Sequence, residues 1–360
     1  MTQTPARLGY RFPAEWEPHE ATWLSWPKNP DDWPGKMTVV PWVYAEMVRA
    51  LAPGETVRIL VNDAAMEKRA ASVLRRAGAP LDRVEFWRMT TDRSWTRDFG
   101  PIHLVGPKGR AILDFHFNGW AKYDDWKNDT KVAAKVAKRT KLPLFDAKLN
   151  GRPLRLEGGG IEVNGLGTVI TTEECYLDPK KQVRNPGVGR ADYERAFADY
   201  LNAPNTLWLN CGVAGDDTHG HIDDICRFVN PTTLVLAVEN DPSDVNYEPL
   251  QENRERLQGM RLQDGARPTV AELPMPGPIV YDGNRLPASY ANFYIANGTV
   301  IVPTFNHPND RVALGILQEL MPDRRVVGIH AVDLVWGLGT LHCLTQQEPA
   351  TTRRSEGLAP

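Results

Sequence analysis

Apolar residues in this chain come in short runs whose period switches between two and about 3.6, with glycine, proline and asparagine at the switch points. After an aromatic lead-in, Tyr10-Arg-Phe-Pro-Ala-Glu-Trp-Glu-Pro-His19, residues 21–26 alternate as a strand does. Residues 42–51 have helical spacing, Pro53-Gly54 breaks it, and 57–61 reads as a strand. The Ala/Arg-rich stretch 64–77 stops at Gly78, which predicts a helix with a glycine just past its end, and 84–88 is again a strand. A hairpin follows, 102–105 and 111–117 around a Gly-Pro-Lys-Gly turn. Three further hairpins are predicted: 161–163 with 168–170 around Asn164-Gly-Leu-Gly167, 225–229 with 233–238 around Asn230-Pro231, and 293–296 with 299–302 around Asn297-Gly298. Helical candidates at 126–137, 190–201, 250–258 and 311–320 trail these hairpins.

The turns recur roughly every 60 residues, a period that fits a supersecondary unit of several elements. The pattern predicts an α/β chain built as a ring or stack of ββα modules, not a sheet with a separate second domain. A polar signature stands before each hairpin: Trp95-Thr-Arg-Asp98, Leu156-Glu-Gly-Gly-Gly160, His219-Gly-His-Ile-Asp223 and Leu286-Pro-Ala-Ser-Tyr290. A fifth, Gly337-Leu-Gly-Thr-Leu-His-Cys-Leu-Thr345, lies near the end. Modules arranged about an axis would bring these equivalent strand ends to one mouth. An acid, a glutamate, a His/Asp pair and a cysteine would meet there although they are far apart in sequence.

The densest cluster is Gly215–Asp224, with four aspartates and two histidines. Read as extended backbone, it puts His219, His221 and Asp223 on one face and Asp224 on the other. Carboxylates beside an apolar run mark either a bound cation or a reaction; a solvated capping turn is the plainer alternative. Asp98 beside Arg97 reads equally as an ion pair, Glu157 as a turn cap, and Cys343 between Leu341 and Leu344 as a small buried hydrophobe. The glycines after Glu157 resemble a phosphate loop, but no Gly-Lys-Ser/Thr follows, which argues against nucleotide binding. His219, His221, Asp223 and Cys226 offer nitrogen, oxygen and sulfur ligands, so a metal-dependent hydrolase is an alternative of another class. That set would crowd every ligand into one strand.

Composition narrows the field. The 360 residues carry a net charge of −3 with both signs interspersed, which leaves no footprint for nucleic acid or an anionic membrane and favours a cationic partner at a local site. There is no apolar run long enough to span a bilayer and no secretory pattern at residues 1–7. The four cysteines, Cys175, Cys211, Cys226 and Cys343, are scattered without a CxxC pair and read as reduced thiols in the cytoplasm. Residues 1–9 and 350–360 are expected to be disordered, flanking a single domain over 10–349. The tryptophan and tyrosine content leaves room for a homo-oligomer.

Six ordered motifs together resemble the agmatine deiminase family, which also holds bacterial peptidylarginine deiminases of the Porphyromonas type. They are Trp95-Thr-Arg-Asp-Phe-Gly-Pro101, Leu156-Glu-Gly-Gly160, Thr171-Thr-Glu-Glu-Cys175 with Arg184-Asn-Pro186, Gly220-His-Ile-Asp223, Ala288-Ser-Tyr-Ala-Asn-Phe-Tyr294 and His342-Cys-Leu-Thr-Gln-Gln347. The likeness runs from about Tyr10 to Pro349. It implies the pentein fold, a five-bladed α/β propeller of ββαβ modules with pseudo-fivefold symmetry. By the same resemblance Asp98 and Asp223 grip a guanidinium, Cys343 attacks its carbon to give a covalent amidino intermediate, His221 serves as acid and then base, and Glu157 orients His221 or its water. No metal and no cofactor is required.

The resemblance also bears on the substrate. Trp120 and Lys122 stand where the peptidylarginine enzymes carry arginines, which suits a substrate without a carboxylate. Asp217 and the Trp95 face would serve the far amine of agmatine, the product being N-carbamoylputrescine. Lys122 keeps another guanidine substrate open, including a C-terminal peptidylarginine. Three departures from the family pattern stand out: His219 where an acid is common, and Leu338 and Thr340 where glycine and asparagine precede the cysteine. With Thr340 altering that loop, a catalytically silent binding protein on the same fold is the remaining alternative.

Overall fold

The computed structural model describes residues 4–351. One connection recurs through it. Ile102–Gly106 and Gly109–Asp114 pair antiparallel, the chain crosses through the helix Val132–Thr140, and Leu144–Asp146 returns parallel to the second strand. The same hairpin, helix and parallel return strand are found with Glu162–Val163, Thr168–Thr172 and Asn205–Leu209. They recur with Cys226–Phe228, Thr233–Val238 and Thr269–Pro274, and with Tyr294–Ala296, Thr299–Thr304 and Arg325–His330. A fifth occurrence is shared by the two ends of the chain. Gln346–Pro349 lies antiparallel to His19–Ser25, which crosses through Val40–Leu51 to a parallel Thr56–Val61, and Val84–Arg88 extends that sheet. The fold is mixed α/β, as the pattern predicted.

The middle strand of each sheet has neighbours on both sides, and two of them, Thr168–Thr172 and Thr233–Val238, are buried at every position. Burial on both faces is why 233–238 reads as a continuous apolar run and not an alternation. The helix Ala64–Arg76 shows the other pattern, burying Met66, Ala70 and Leu74 on one stripe. The Asp63 carboxylate accepts from Met66 N at its start, and Gly78 at φ 72° follows its end, as the sequence suggested. The largest apolar cluster packs the sheet shared by the chain ends against the 294–330 module and reaches Trp95, Leu341 and Leu344 beside Cys343.

Three expectations need correction. Spacing alone gave ββα modules and, apart from 57–61, passed over the return strands; three of those missed, Leu144–Asp146, Thr269–Pro274 and Arg325–His330, are so exposed that no apolar alternation is imposed on them. The helix expected at 126–137 begins only at Val132, because side-chain bonds hold the preceding loop: Asn128 donates to Asp92, and Asp92 N and Arg93 N donate to Asp129. Of the terminal segments expected to be disordered, residues 1–3 and 352–360 lie outside the described residues. Residues 6–8, in contrast, form a 3-10 turn, and Ala350 N donates to Pro18 O at 2.7 Å. No described helix is long and apolar enough to cross a membrane.

Candidate active site

All five polar signatures sit just ahead of the first strand of a module, and the structure brings them together. Arg97 N donates to Cys343 O (3.1 Å), Gly159 N to Asp98 Oδ1 (3.0 Å), Asn292 Nδ2 to Asp224 Oδ1 (3.0 Å) and His342 N to Asn292 O (3.2 Å). The glycines after Glu157 are explained by this crowding. A Cβ on Gly158 would lie 2.2 Å from Arg97 O, and one on Gly159 would lie 2.6 Å from His221 Nδ1. They serve close approach, not phosphate binding.

The signatures frame a cavity of about 600 Å³ whose lining includes Trp95, Asp98, Trp120, Asp217, Leu338 and Cys343. At its floor Cys343 is 6% exposed, with its Sγ 3.5 Å from Asp223 Oδ2. Asp98 takes hydrogen bonds from Gly159 N and, at 2.9 Å, from Trp120 Nε1. Asp223 Oδ2 is bound to His342 Nδ1 at 2.7 Å, and His342 Nε2 lies 2.8 Å from Glu15 Oε2. Glu15 is in turn held by Arg97 and Arg227. The other oxygen of Asp223, Oδ1, is buried and has no hydrogen-bond partner, and the same is true of His221 Nε2. His221 stands among carboxylates, 3.8 Å from Asp98 Oδ1, 4.0 Å from Asp223 Oδ1 and 3.7 Å from Glu157 Oε2. Glu157 is anchored from behind by Arg184 Nε at 3.2 Å.

The electrostatics follow from burial and sign. Burial raises the Asp98 carboxyl to about 6, with Asp223 and Glu157 adding to the rise and His221 and the Trp120 bond opposing it. Burial opposes charge on His221 too, but Asp98, Cys175 and Glu157 outweigh it and hold the imidazole well above its ordinary value. Cys343 is pushed well above an ordinary thiol by burial and by Asp223, Asp224 and Asp98. Asp223 and Glu157 go the other way: despite burial, His342 and Arg184 respectively keep them below the usual carboxylate range.

The mouth is built differently. Asp217 pairs with the Lys122 ammonium and accepts from Tyr123 Oη at 2.7 Å. Arg93 binds Asp32 (2.8 Å) and Asp125 (2.7 Å), and Trp95 Nε1 donates to Asp32 at 3.4 Å.

Asp98, Glu157, His221, Asp223 and Cys343 are thus brought together as expected; of these Asp98 and Cys343 line the cavity, as do Trp95 and Asp217. The extended reading of 219–223 is corrected. His219 has φ 65°, Gly220 has φ 88°, and Ile222–Asp224 form a 3-10 turn. That geometry sends His219 away to Asp178 (2.9 Å) and Glu174 (3.2 Å), and it brings Asp224 to Cys343 beside Asp223. The four proposed metal ligands are not gathered: His219 is elsewhere, and Cys226 is sealed in the apolar cluster under its own strand. Sequence reasoning assigned no part to Asn292, Glu15, Arg184 or His342, and gave Trp120 a bearing on substrate choice alone. Four of them sit inside quoted motifs or next to them, but nothing in the spacing said which neighbour each would face.

Residues 11–349 match the family model of Porphyromonas-type peptidyl-arginine deiminase. The agmatine deiminase of Pseudomonas aeruginosa (strain LESB58) is 35% identical over 375 aligned positions, covering 97% of this chain and 98% of that protein. Among solved structures, the agmatine deiminase of Enterococcus faecalis superposes with a TM-score of 0.89 at 31% identity, covering 97% of this chain and 98% of that one. A substrate-bound agmatine deiminase of C. jejuni gives 0.84 at 28% identity, covering 96% and 97%.

Proposed function

The chain belongs to the Porphyromonas-type peptidyl-arginine deiminase family, and on that premise we propose that it hydrolyses agmatine to N-carbamoylputrescine and ammonia. The observation that carries this reading is the floor of the cavity: a buried thiol flanked by two carboxylates, one of which has an oxygen without a donor. Such a cage is incomplete without a cation that presents several N–H groups in a plane. A guanidinium does so. Asp98 and Asp223 grip its nitrogens and set the carbon over Cys343 Sγ.

The chemistry then proceeds in two halves. The substrate's charge offsets the carboxylates that oppose ionisation of Cys343, and the thiolate forms where the cation is bound. Its sulfur bonds to the guanidinium carbon, His221 gives a proton to one nitrogen, and that C–N bond breaks to release ammonia. The amidino group now on Cys343 is attacked by water, with His221 taking the water's proton. The C–S bond breaks and the ureido product leaves. Glu157, locked by Arg184, keeps His221 charged and aimed. The thiol proton passes to solvent as the cation binds, and the proton left on the ureido oxygen returns to the departing sulfur.

Substrate choice rests on the mouth. Asp217 receives the distal amine of agmatine in exchange for Lys122, and Trp95 flanks the methylene chain. The site works on a small cationic guanidine, with its free thiols kept reduced in the cytoplasm. The five repeated connections, closed by pairing of the chain's two ends, support a five-bladed propeller with pseudo-fivefold symmetry, acting as one catalytic domain over 10–349. Ammonia release from agmatine, arginine and a peptide ending in arginine tests the substrate. Turnover confined to agmatine is expected. Turnover of only the carboxylate-bearing pair would instead assign Lys122 to a substrate carboxylate.

A further inference from the structure

Behind Cys343 the amide of Asn292 lies fully buried, and both of its ends are spoken for. Its oxygen accepts from Thr340 Oγ1 at 2.7 Å, from His342 N at 3.0 Å and from Cys343 N at 3.4 Å. Its nitrogen donates to Asp224 Oδ1 at 3.0 Å and to Cys343 Sγ at 3.1 Å. This orientation is dictated by the neighbours. Turned over, the amide would set its own N–H groups against two backbone N–H donors and its oxygen against a carboxylate.

We propose that Asn292 is a catalytic residue that donates an amide hydrogen to the sulfur of Cys343, and that Thr340 is a positioning residue that holds this amide in its donating orientation. The proposal rests on the reading of Cys343 as the nucleophile. The need for such a donor is visible around the sulfur. Asp223 and Asp224 cluster with it, Asp98 stands across the cavity, and burial adds to their effect, so the free enzyme opposes a negative sulfur from every one of these groups. An uncharged N–H aimed at Sγ favours the thiolate without competing with the substrate's cation for the carboxylates. It is in place before substrate arrives, which costs no reorganisation at the moment of attack.

Thr340 acquires a purpose in this arrangement. It stands where the family pattern has asparagine, and its hydroxyl is the shortest of the three donors on the Asn292 oxygen. The substitution therefore keeps the cysteine loop tied to the Asn292 segment. The neighbouring departure, Leu338, takes φ 68°, a conformation glycine adopts freely, so that loop holds its path against local strain.

The test reads the sulfur directly. The rate of alkylation of Cys343 by iodoacetamide is measured against pH by peptide mass spectrometry, which separates it from the other three cysteines. Wild type, Asn292→Ala, Thr340→Val and Thr340→Ser are compared, with thermal melting to confirm folding. The pH midpoint of alkylation is expected to rise in Asn292→Ala, and kcat for agmatine to fall roughly tenfold or more with KM little changed, the scale of one hydrogen bond to an anion. Thr340→Val is expected to move both readouts the same way by less, and Thr340→Ser to restore them. Should Asn292→Ala fail to fold, the Val and Ser pair at 340 carries the test. A slower enzyme with an unchanged alkylation profile would mean a merely structural role and overturns the proposal. Turnover persisting in Cys343→Ala would overturn the underlying reading and this role with it, whereas an unchanged profile beside an inactive Cys343→Ala overturns this role alone.

Discussion

The floor and the mouth of the cavity are both lined with charge, but they handle it in opposite ways. At the floor, Asp98, Glu157, His221, Asp223 and Cys343 are each no more than 6% exposed. Their partners are also buried and come from five separate segments of the chain. At the mouth the Arg93–Asp32 pair is buried too, but Lys122 is 41% and Asp217 21% exposed at the side chain, and their ion pair joins two loops. Buried charges that have lost water interact strongly and are costly to leave unpaired, while exposed pairs are screened and worth little. On the proposed reading, the floor is where the reaction is decided, and the mouth is where one guanidine is told from another at small energetic cost.

Substitutions sort along the same line. Asp98→Asn removes one of the two carboxylates proposed to hold the guanidinium and is expected to lower kcat/KM for agmatine on the order of a thousandfold, with the fold intact by circular dichroism. A loss under about tenfold would mean the cage does not hold the substrate as described. Trp120→Phe is milder and more specific. Asp98 must be ionised to bind a cation, and its carboxyl lies at about 6, so kcat/KM should fall as pH drops through that value. The Trp120 bond favours the ionised form, so its loss should move this acid limb upward by about one unit, the scale of a hydrogen bond to a charge. A limb that stays put would separate Trp120 from Asp98.

At the mouth the effects shrink. Asp217→Asn should raise KM for agmatine about tenfold with kcat nearly unchanged, because the distal amine contributes binding that is the same before and during reaction. Lys122→Met should change KM by no more than about threefold and lower it, since the ammonium competes with substrate for Asp217. A large rise in KM on losing Lys122 would reverse that assignment and point to a substrate with a negative group.

The same contrast explains what the sequence disclosed. Hairpins were legible because their turns need particular residues, as Gly298 at φ 69° shows. The convergence of the floor was legible because each module repeats the same position for its polar signature, so one repeat taught where to look in the others. Return strands such as Arg325–His330 were missed because their exposure leaves no pattern. His219 was misread because a positive-φ pair, His219 and Gly220, turns the chain where alternation assumed extended backbone. The supporting residues were hidden for a different reason. His342 reaches Glu15, 327 positions away, and Arg184 reaches Glu157, 27 away, and no local rule specifies a partner at either distance.

The central claim is that Cys343 carries the reaction covalently within a cage that binds the substrate independently of it. Product formation and agmatine binding by Cys343→Ala, measured together by a ureido-product assay and calorimetry, test this most directly. The account predicts no N-carbamoylputrescine above background while agmatine still binds. Product formed by this variant at a rate near wild type would contradict it.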